Sequence, residues 1–311
     1  CYRRAAEMGD EAAQCNLGWC YEAGKGVAED KAQAVEWYRK SAEQSHPRAM
    51  CNLGYCYEAG IGVEKSMTEA IFWYTKAAQA GYARAQTNLA YCYDEGLGVE
   101  QDYSVAVHWY SQAVEQNYPR ACCNLGYCYE MGHGVEKDLQ EAARLYAMGA
   151  EGGDSVSQCN LAWFYLNGTG VQKDPEKAFG LFLKAAEQNN LRGIYNVGLC
   201  YDRGDGVHKD RVKAVEWYRK AAAQNHAGAL YRMGDFTEHG LGGLTQDPAK
   251  ALDYYRRAAE GGSQEAKEAL ERLGGGGAAP ATPAEAPAPE EPAEETPKEK
   301  GKGGFFKKFF G

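Results

Sequence analysis

Long apolar runs are missing from this chain. None approaches the roughly 20 residues that cross a bilayer as a helix, so no membrane span is expected. A basic excess is missing as well: 34 Lys and Arg stand against 43 Asp and Glu, a net charge of -9. Phosphate-backbone binding depends on clustered cations, so this balance argues against nucleic acid as a partner. Catalytic signatures are equally scarce. The six histidines (His46, His108, His133, His208, His226 and His239) are scattered over loops and helix ends. They form no His-x-x-x-His pair, and neither Ser-x-x-Lys nor Gly-x-Ser-x-Gly occurs. The chain is expected to have no catalytic residues, no metal and no cofactor.

Cysteine is the exception to this scarcity. There are 11, most of them in two columns: Cys20, Cys56, Cys92, Cys128 and Cys200, and Cys15, Cys51, Cys123 and Cys159. Spacings of five, as in Cys15/Cys20 and Cys51/Cys56, fit no zinc pattern. Equivalent helices of neighbouring hairpins sit about 8–10 Å apart, and a disulfide needs its Cα atoms within about 7 Å. Same-column cysteines are therefore expected to remain thiols. That favours a reducing compartment, the cytoplasm, over export or metal chemistry.

These columns belong to a repeat. The stretch Ala49–Val63 (A-M-C-N-L-G-Y-C-Y-E-A-G-I-G-V) recurs along the chain in steps of 36 residues. Asn52-Leu53 has counterparts at Asn16-Leu17, Asn88-Leu89, Asn124-Leu125, Asn160-Leu161, Asn196-Val197 and, degraded, Arg232-Met233. A fixed period of that size signals stacked helical hairpins, each hiding its apolar face against its neighbour. Helix A carries the A-x-x-N-L-G-x-C-Y theme. A Gly-x-Gly-Val turn follows, whose first glycine suits a left-handed helix C-cap. Helix B starts near Asp30 or Lys31, with Asp102, Asp138, Asp174, Asp210 and Asp247 placed as N-caps. It carries alanine, an aromatic pair such as Trp37-Tyr38, and a small pair. The Gly-x-Gly is no dinucleotide loop, since helices flank it, no strand precedes it, and it repeats.

The resulting division is a helix B remnant at 1–9, seven repeats over 10–262, and a polar capping helix at 263–273. A Pro/Ala/Glu-rich linker at 274–300, expected to be disordered, and a short tail at 301–311 complete it. Wound as a helix, the tail would gather Phe305, Phe306, Phe309 and Phe310 on one side, with Lys307 and Lys308 opposite. Two readings stand for it: weak docking to a membrane surface or a partner groove, or an incidental sticky terminus. At the other end the chain opens at Cys1 in mid-pattern. Arg4-Ala5-Ala6-Glu7 matches Lys40-Ser41-Ala42-Glu43 one period later. Further chain is expected before Cys1, which leaves export open.

The 36-residue unit N-L-G-x-C-Y-x-x-G-x-G-V-x-x-D-x-x-x-A-x-x-W-Y-x-K-A-A-E resembles the Sel1-like repeat, a relative of the tetratricopeptide repeat, over residues 1–273. The resemblance implies an all-α, right-handed α/α superhelix whose A helices line a concave face. It implies an adaptor or scaffold for protein complexes, with no catalytic residues. Cysteine-rich secreted bacterial members tie each hairpin with a disulfide whose first cysteine falls at the second alanine of K-A-A-E. Here that position holds Ala6, Ala42, Ala78, Ala186 or Ala222, which weakens the exported alternative, a protein acting on host or envelope components.

By analogy with tetratricopeptide repeats, the ligand-facing positions of helix A run i, i+3, i+4, i+7 from Ala12. They place Cys15, Asn16, Trp19 and Glu22 toward the groove. The asparagine column is then Asn16, Asn52, Asn88, Asn124, Asn160 and Asn196, and the aromatic column Trp19, Tyr55, Tyr91, Tyr127 and Trp163. The acidic column (Glu22, Glu58, Asp94, Glu130, Asp202, Glu238) would favour basic residues on a partner. Asparagine amides can bond a peptide backbone; equally, they can bond between neighbouring A helices and fix the stacking. Arg48, Arg84, Arg120 and Arg192 start successive A helices, where a cation is disfavoured. They either pair with acids or hold an anionic ligand. The expected partner is a protein or peptide on the A-helix face.

Overall fold

The structure is a computed structural model that describes residues 2–274. Phe305, Phe306, Lys307, Lys308, Phe309 and Phe310 lie outside the described residues. Among the described residues there are 16 α-helices and no strand. The chain divides between Asp138 and Leu139 into two compact units.

The first unit holds α1 (Tyr2–Glu7), α2 (Glu11–Ala23), α3 (Lys31–Glu43) and α4 (Pro47–Ala59). It continues with α5 (Met67–Gln79), α6 (Ala83–Glu95), α7 (Tyr103–Glu115) and α8 (Pro119–Met131). The second holds α9 (Leu139–Glu151), α10 (Ser155–Asn167), α11 (Pro175–Glu187) and α12 (Leu191–Arg203). It ends with α13 (Arg211–Ala222), α14 (Ala227–His239), α15 (Pro248–Glu260) and α16 (Gln264–Gly274). Even-numbered helices are the A helices of the sequence pattern and odd-numbered ones the B helices. Within each unit, consecutive helices pack as a solenoid of hairpins.

Local chemistry sets the helix ends. Each A helix before α16 stops at a left-handed glycine, from Gly24 (φ 65°) to Gly240 (φ 68°), as the first glycine of each turn predicts. The side chains of Asp30, Asp102, Asp174, Asp210 and Asp247 accept N-cap bonds at the B helices. Ser66 does the same for α5. The A helices are capped by Asp10, His46, Asp154, Asn190 and His226.

The hairpin is locked by one contact that recurs. The second aromatic of helix B lies flat against the A-helix glycine of its own hairpin. A Cβ on Gly18 or Gly54 would come within 2.7 Å of the Tyr38 or Tyr74 ring. Close approach of the ring excludes a Cβ at Gly18, Gly54, Gly198 and Gly234, while Ala90 and Ala162 hold the same position in two other repeats; the ring position is buried throughout, at Tyr38, Tyr74, Tyr110, Tyr146, Phe182, Tyr218 and Tyr255. The second glycine of the turn joins one hairpin to the next. A Cβ on Gly62 would lie 2.2 Å from the Lys31 carbonyl oxygen, and one on Gly206 would lie 2.0 Å from that of Pro175. The turns at Gly62, Gly98, Gly134, Gly170, Gly206 and Gly242 thus sit on the first turn of the preceding B helix, while a Cβ on Gly26 would meet nothing within 4 Å.

Candidate functional site

An α-helix turns about 100° per residue. Relative to Ala12, positions 16, 19 and 23 lie within about 40°, while 15 and 22 lie about 60° and 80° away. The structure follows this arithmetic. In the first unit the corresponding A-helix columns, together the A-helix strip, are graded in burial: Arg48 is exposed, Arg84, Arg120, Asn16, Asn124, Trp19, Tyr91 and Tyr127 are half-buried, and Asn52, Asn88 and Tyr55 are buried. Position 23, which the sequence pattern left out, completes it with Glu95 and the exposed Met131. Cys15 and Glu22 are not on this strip. Both are buried on its flank, Cys15 at 1% exposure, which corrects their placement toward a ligand.

Five of the six acids in the acidic column bond the tyrosine of helix B. Tyr38 donates to Glu22 at 2.6 Å, Tyr74 to Glu58 at 2.6 Å and Tyr110 to Asp94 at 3.3 Å, each within one hairpin. In the second unit Tyr218 meets Asp202 at 3.4 Å and Tyr255 meets Glu238 at 2.7 Å. Where helix B carries Phe182 in place of tyrosine, the acid position holds Leu166, so hydroxyl and carboxylate are absent together. Burial, then the adjacent Glu22 carboxylate, pushes the Tyr38 phenol above its ordinary range. Burial raises Glu58, against the opposing pull of Tyr74 and Lys65. Each of these acids thus accepts a hydrogen bond from the tyrosine of its own hairpin.

The asparagines bond backwards along the stack. Asn52 Nδ2 reaches Cys15 Sγ at 4.0 Å and Asn88 Nδ2 reaches Cys51 Sγ at 3.8 Å. Thr87 interrupts that cysteine column, and Asn124 of the following helix bonds the Tyr110 hydroxyl instead, at 3.2 Å. Asn52 and Asn88 are buried; Asn16 and Asn124 are half-buried. Arg48 does not pair with an acid. Its Nη2 donates to Asn16 Oδ1 and its Nε to Cys15 Sγ at 3.3 Å, both on the preceding A helix. Tyr55 is buried, while Trp19, Tyr91 and Tyr127 are half-buried, with Lys25 4.5 Å above the Trp19 ring.

The second unit repeats parts of this arrangement. Arg192 donates to Asn160 at 3.3 Å, Trp163 is half-buried, and Asn196 is fully buried. Arg232, in the asparagine column, is buried against Asp202 of the preceding A helix and lies 3.4 Å from Asp235. Helix α16 is fastened by Arg272, whose two Nη atoms each lie 2.7 Å from a Glu238 oxygen. Burial alone would raise Glu238; the Arg272 fork and the Tyr255 hydroxyl outweigh it and hold the carboxyl below its ordinary 4.5.

The ten cysteines of the described residues are thiols, all buried except Cys20. Burial pushes Cys51 and Cys200 up to about 12, where the reactive thiolate is negligible near neutrality. Among the described residues, no group of three or more His, Cys, Asp or Glu is placed to hold a metal ion, and no helix is long and apolar enough to cross a membrane.

Helical hairpins recurring every 36 residues, with no strand among the described residues, define an all-α repeat protein. The Sel1 repeat model matches residues 1–10, 11–46, 47–82, 83–118, 119–154, 155–190, 191–226 and 227–263, and the chain belongs to the Sel1-repeat family. Sel1 repeats serve generally as scaffolds for protein interaction. A protective antigen present in uropathogenic Escherichia coli strains is 37% identical, with a TM-score of 0.72 over 89% of this chain. This chain spans 60% of that protein's length. A Sel1 repeat protein from Oxalobacter formigenes is 36% identical, with a TM-score of 0.64, covering 68% of this chain and 85% of the other. No match was found among curated proteins.

Proposed function

We propose that the protein is a non-enzymatic scaffold that holds an extended segment or helix of a partner protein along the A-helix strip of residues 2–138. The observation that carries this reading is the division of labour on the A helices. Cys15, Cys51 and Cys123 are buried and Glu22, Glu58 and Asp94 each bond a tyrosine of helix B, while an arginine, an asparagine and an aromatic recur in register on α4, α6 and α8, most of them half-buried or exposed. Rigid aromatics supply contact area at low entropic cost, and arginine and amide groups around them fix register.

Asn52 and Asn88 also brace the stack, so replacing them would disturb folding along with binding. A photo-crosslinking residue at Tyr91 or Tyr127 avoids this, with Phe72, exposed on helix α5, as the comparison position. The reading predicts partner crosslinks from 91 and 127 and none from 72. The opposite pattern rejects the strip.

The C-terminal Phe/Lys segment is assigned a tethering role, with weak docking to a membrane surface or partner groove. Burying two or three Phe at about 1.5–3 kcal/mol each, less the ordering cost, makes such attachment reversible. Cosedimentation with anionic vesicles, compared with a variant carrying serine at all four phenylalanines, tests the membrane half of this role. A second reading, export, draws on the description of the E. coli relative as a protective antigen. Titration of thiols in protein from its natural source separates the two: ten or more reactive thiols after denaturation support the scaffold in a reducing compartment, and blocked thiols support export.

A further inference from the structure

We propose that residues 298–311 of this chain dock on the turn-side edge of its own first unit, around Leu97 and Met131. There they occupy one end of the strip that the scaffold reading gives to a partner; the proposal rests on that reading and adds its regulation. The edge is the first observation. Leu97 and Met131 are 37% and 39% exposed. Leu97 lies in the turn that follows α6, and Met131 is the last residue of α8. Both therefore stand at the same end of neighbouring A helices, which stacked hairpins set about 8–10 Å apart. Rings adjoin Met131: His133 stacks on Tyr103 with centroids 4.4 Å apart and meets Tyr127 edge-on at 5.9 Å. In the second unit the Met131 position is polar, held by Asn167, Arg203 and His239. Exposed apolar side chains grouped beside rings mark a surface that something covers.

Charge selects the occupant. Residues 2–138 hold 12 Lys and Arg against 19 Asp and Glu, whereas residues 139–274 hold 17 against 18. Much of the excess flanks this edge. Residues 95–102 and 130–138 contain Glu95, Glu100, Asp102, Glu130, Glu136 and Asp138, against the single base Lys137. A lysine laid on the edge feels their summed field within a Debye length of about 8–10 Å and needs no one carboxylate as its partner. Segment 298–311, which lies outside the described residues, has the matching composition. It carries Lys298, Lys300, Lys302, Lys307 and Lys308 against Glu299 alone, with Phe305, Phe306, Phe309 and Phe310 among them. A basic, phenylalanine-rich segment both covers Leu97 and Met131 and offsets the acids; an acidic segment adds like charge. Residues 275–297 join it to α16, a connection that reaches up to about 70 Å when extended. Tethering raises local concentration toward the millimolar level, so docking of millimolar strength is about half-occupied. A partner, or a membrane surface, must then compete for residues that are already engaged.

The test is carbodiimide crosslinking of the dilute full chain, which joins lysine to carboxylate at zero length, with the links mapped by mass spectrometry. Two variants accompany the parent: Leu97→Ser with Met131→Ser, and Phe305→Ser with Phe306→Ser, Phe309→Ser and Phe310→Ser. Each is first shown to melt as the parent does. The proposal predicts links from the lysines of 298–308 to the acids of 95–102 and 130–138 within single chains. These links fall with rising salt and drop about fivefold in either variant, as expected when half-occupied docking weakens tenfold. Links spread evenly over the acids of residues 139–274, or indifferent to both variants, overturn the docking. Links found only in crosslinked dimers show that the segment sits on a second copy and overturn the own-chain assignment. The scaffold reading fails separately. The photo-crosslinking residue at Tyr91 or Tyr127 is expected to capture more partner in the chain with the four phenylalanines replaced. No capture there, where the edge is open, sinks the scaffold reading whatever the lysine links show.

Discussion

At the scale of single residues, the tyrosine–acid pair is the contact on which the hairpin depends. Tyr74→Phe would leave the Glu58 carboxyl without its 2.6 Å donor, at a cost of about 1–3 kcal/mol. The protein contains its own compensated solution in Phe182 with Leu166. The double variant Tyr74→Phe, Glu58→Leu is therefore expected to recover most of that loss in urea denaturation. A double variant no better than the single one would show that the pair is not a unit. His46 gives a pH dependence. Its Nδ1 accepts the Ala49 N–H at 3.3 Å, which only the neutral imidazole can do. Burial and then Arg48 hold its pKa below the ordinary 6.5. A folded pKa below the unfolded one means that the cap's contribution is complete above about pH 6.5 and is lost as pH falls through the folded value. His46→Asn keeps the cap without titrating. Its melting temperature is expected to drop less than the parent's between about pH 7.5 and about pH 5.

At the scale of elements, the hairpin was legible in the sequence and the joints between hairpins were not. The period, the left-handed C-cap glycines and the N-caps at Asp102, Asp174, Asp210 and Asp247 are local signals with known geometry, and they stand where the pattern placed them. The second turn glycine carries no such local signature, because its role is a contact with the preceding B helix, and spacing within one repeat does not reveal that. Gly62 and Gly26 separate the two effects. Both have positive φ, 69° and 74°, but a Cβ on Gly26 meets nothing within 4 Å. Gly26→Ala should cost about 1 kcal/mol for backbone conformation alone. Gly62→Ala should cost about 1–3 kcal/mol more through collision with Lys31, read as a lower midpoint in thermal unfolding. The turn from helix B to helix A was missed for a related reason. Gly9, Ser45, Gly81, Asn117, Gly153, Asn189, Asn225 and Gly262 all adopt positive φ, yet as a column they look merely polar. Ser45 is the poorest fit among them, and Ser45→Gly is expected to stabilise by about 0.5–1 kcal/mol. A glutamine bridge is likewise visible only at twice the period: Gln14, Gln86 and Gln158 bond the carbonyls of Ala6, Ala78 and Ala150.

At the scale of the molecule, the candidate site was half legible. The asparagine, arginine and aromatic columns were apparent from the repeat, but their burial was not: Asn52, Asn88 and Tyr55 are buried while Arg48 is exposed. The acidic column was misread, because five of its six acids are engaged by tyrosines on another helix. Such a pairing, 16 residues apart in sequence, is tertiary, and helical periodicity alone does not specify it. Repeat addition explains why binding would not require a pocket: α4, α6 and α8 each contribute one arginine, one amide and one ring, and affinity would accumulate along them. The most direct test of this account is amide hydrogen exchange of the full chain with and without a saturating amount of the partner segment captured at Tyr91 or Tyr127. The account predicts added protection along α4, α6 and α8 and none along α3, α5 and α7. Protection confined to the odd-numbered helices, or to residues 303–311, would contradict it.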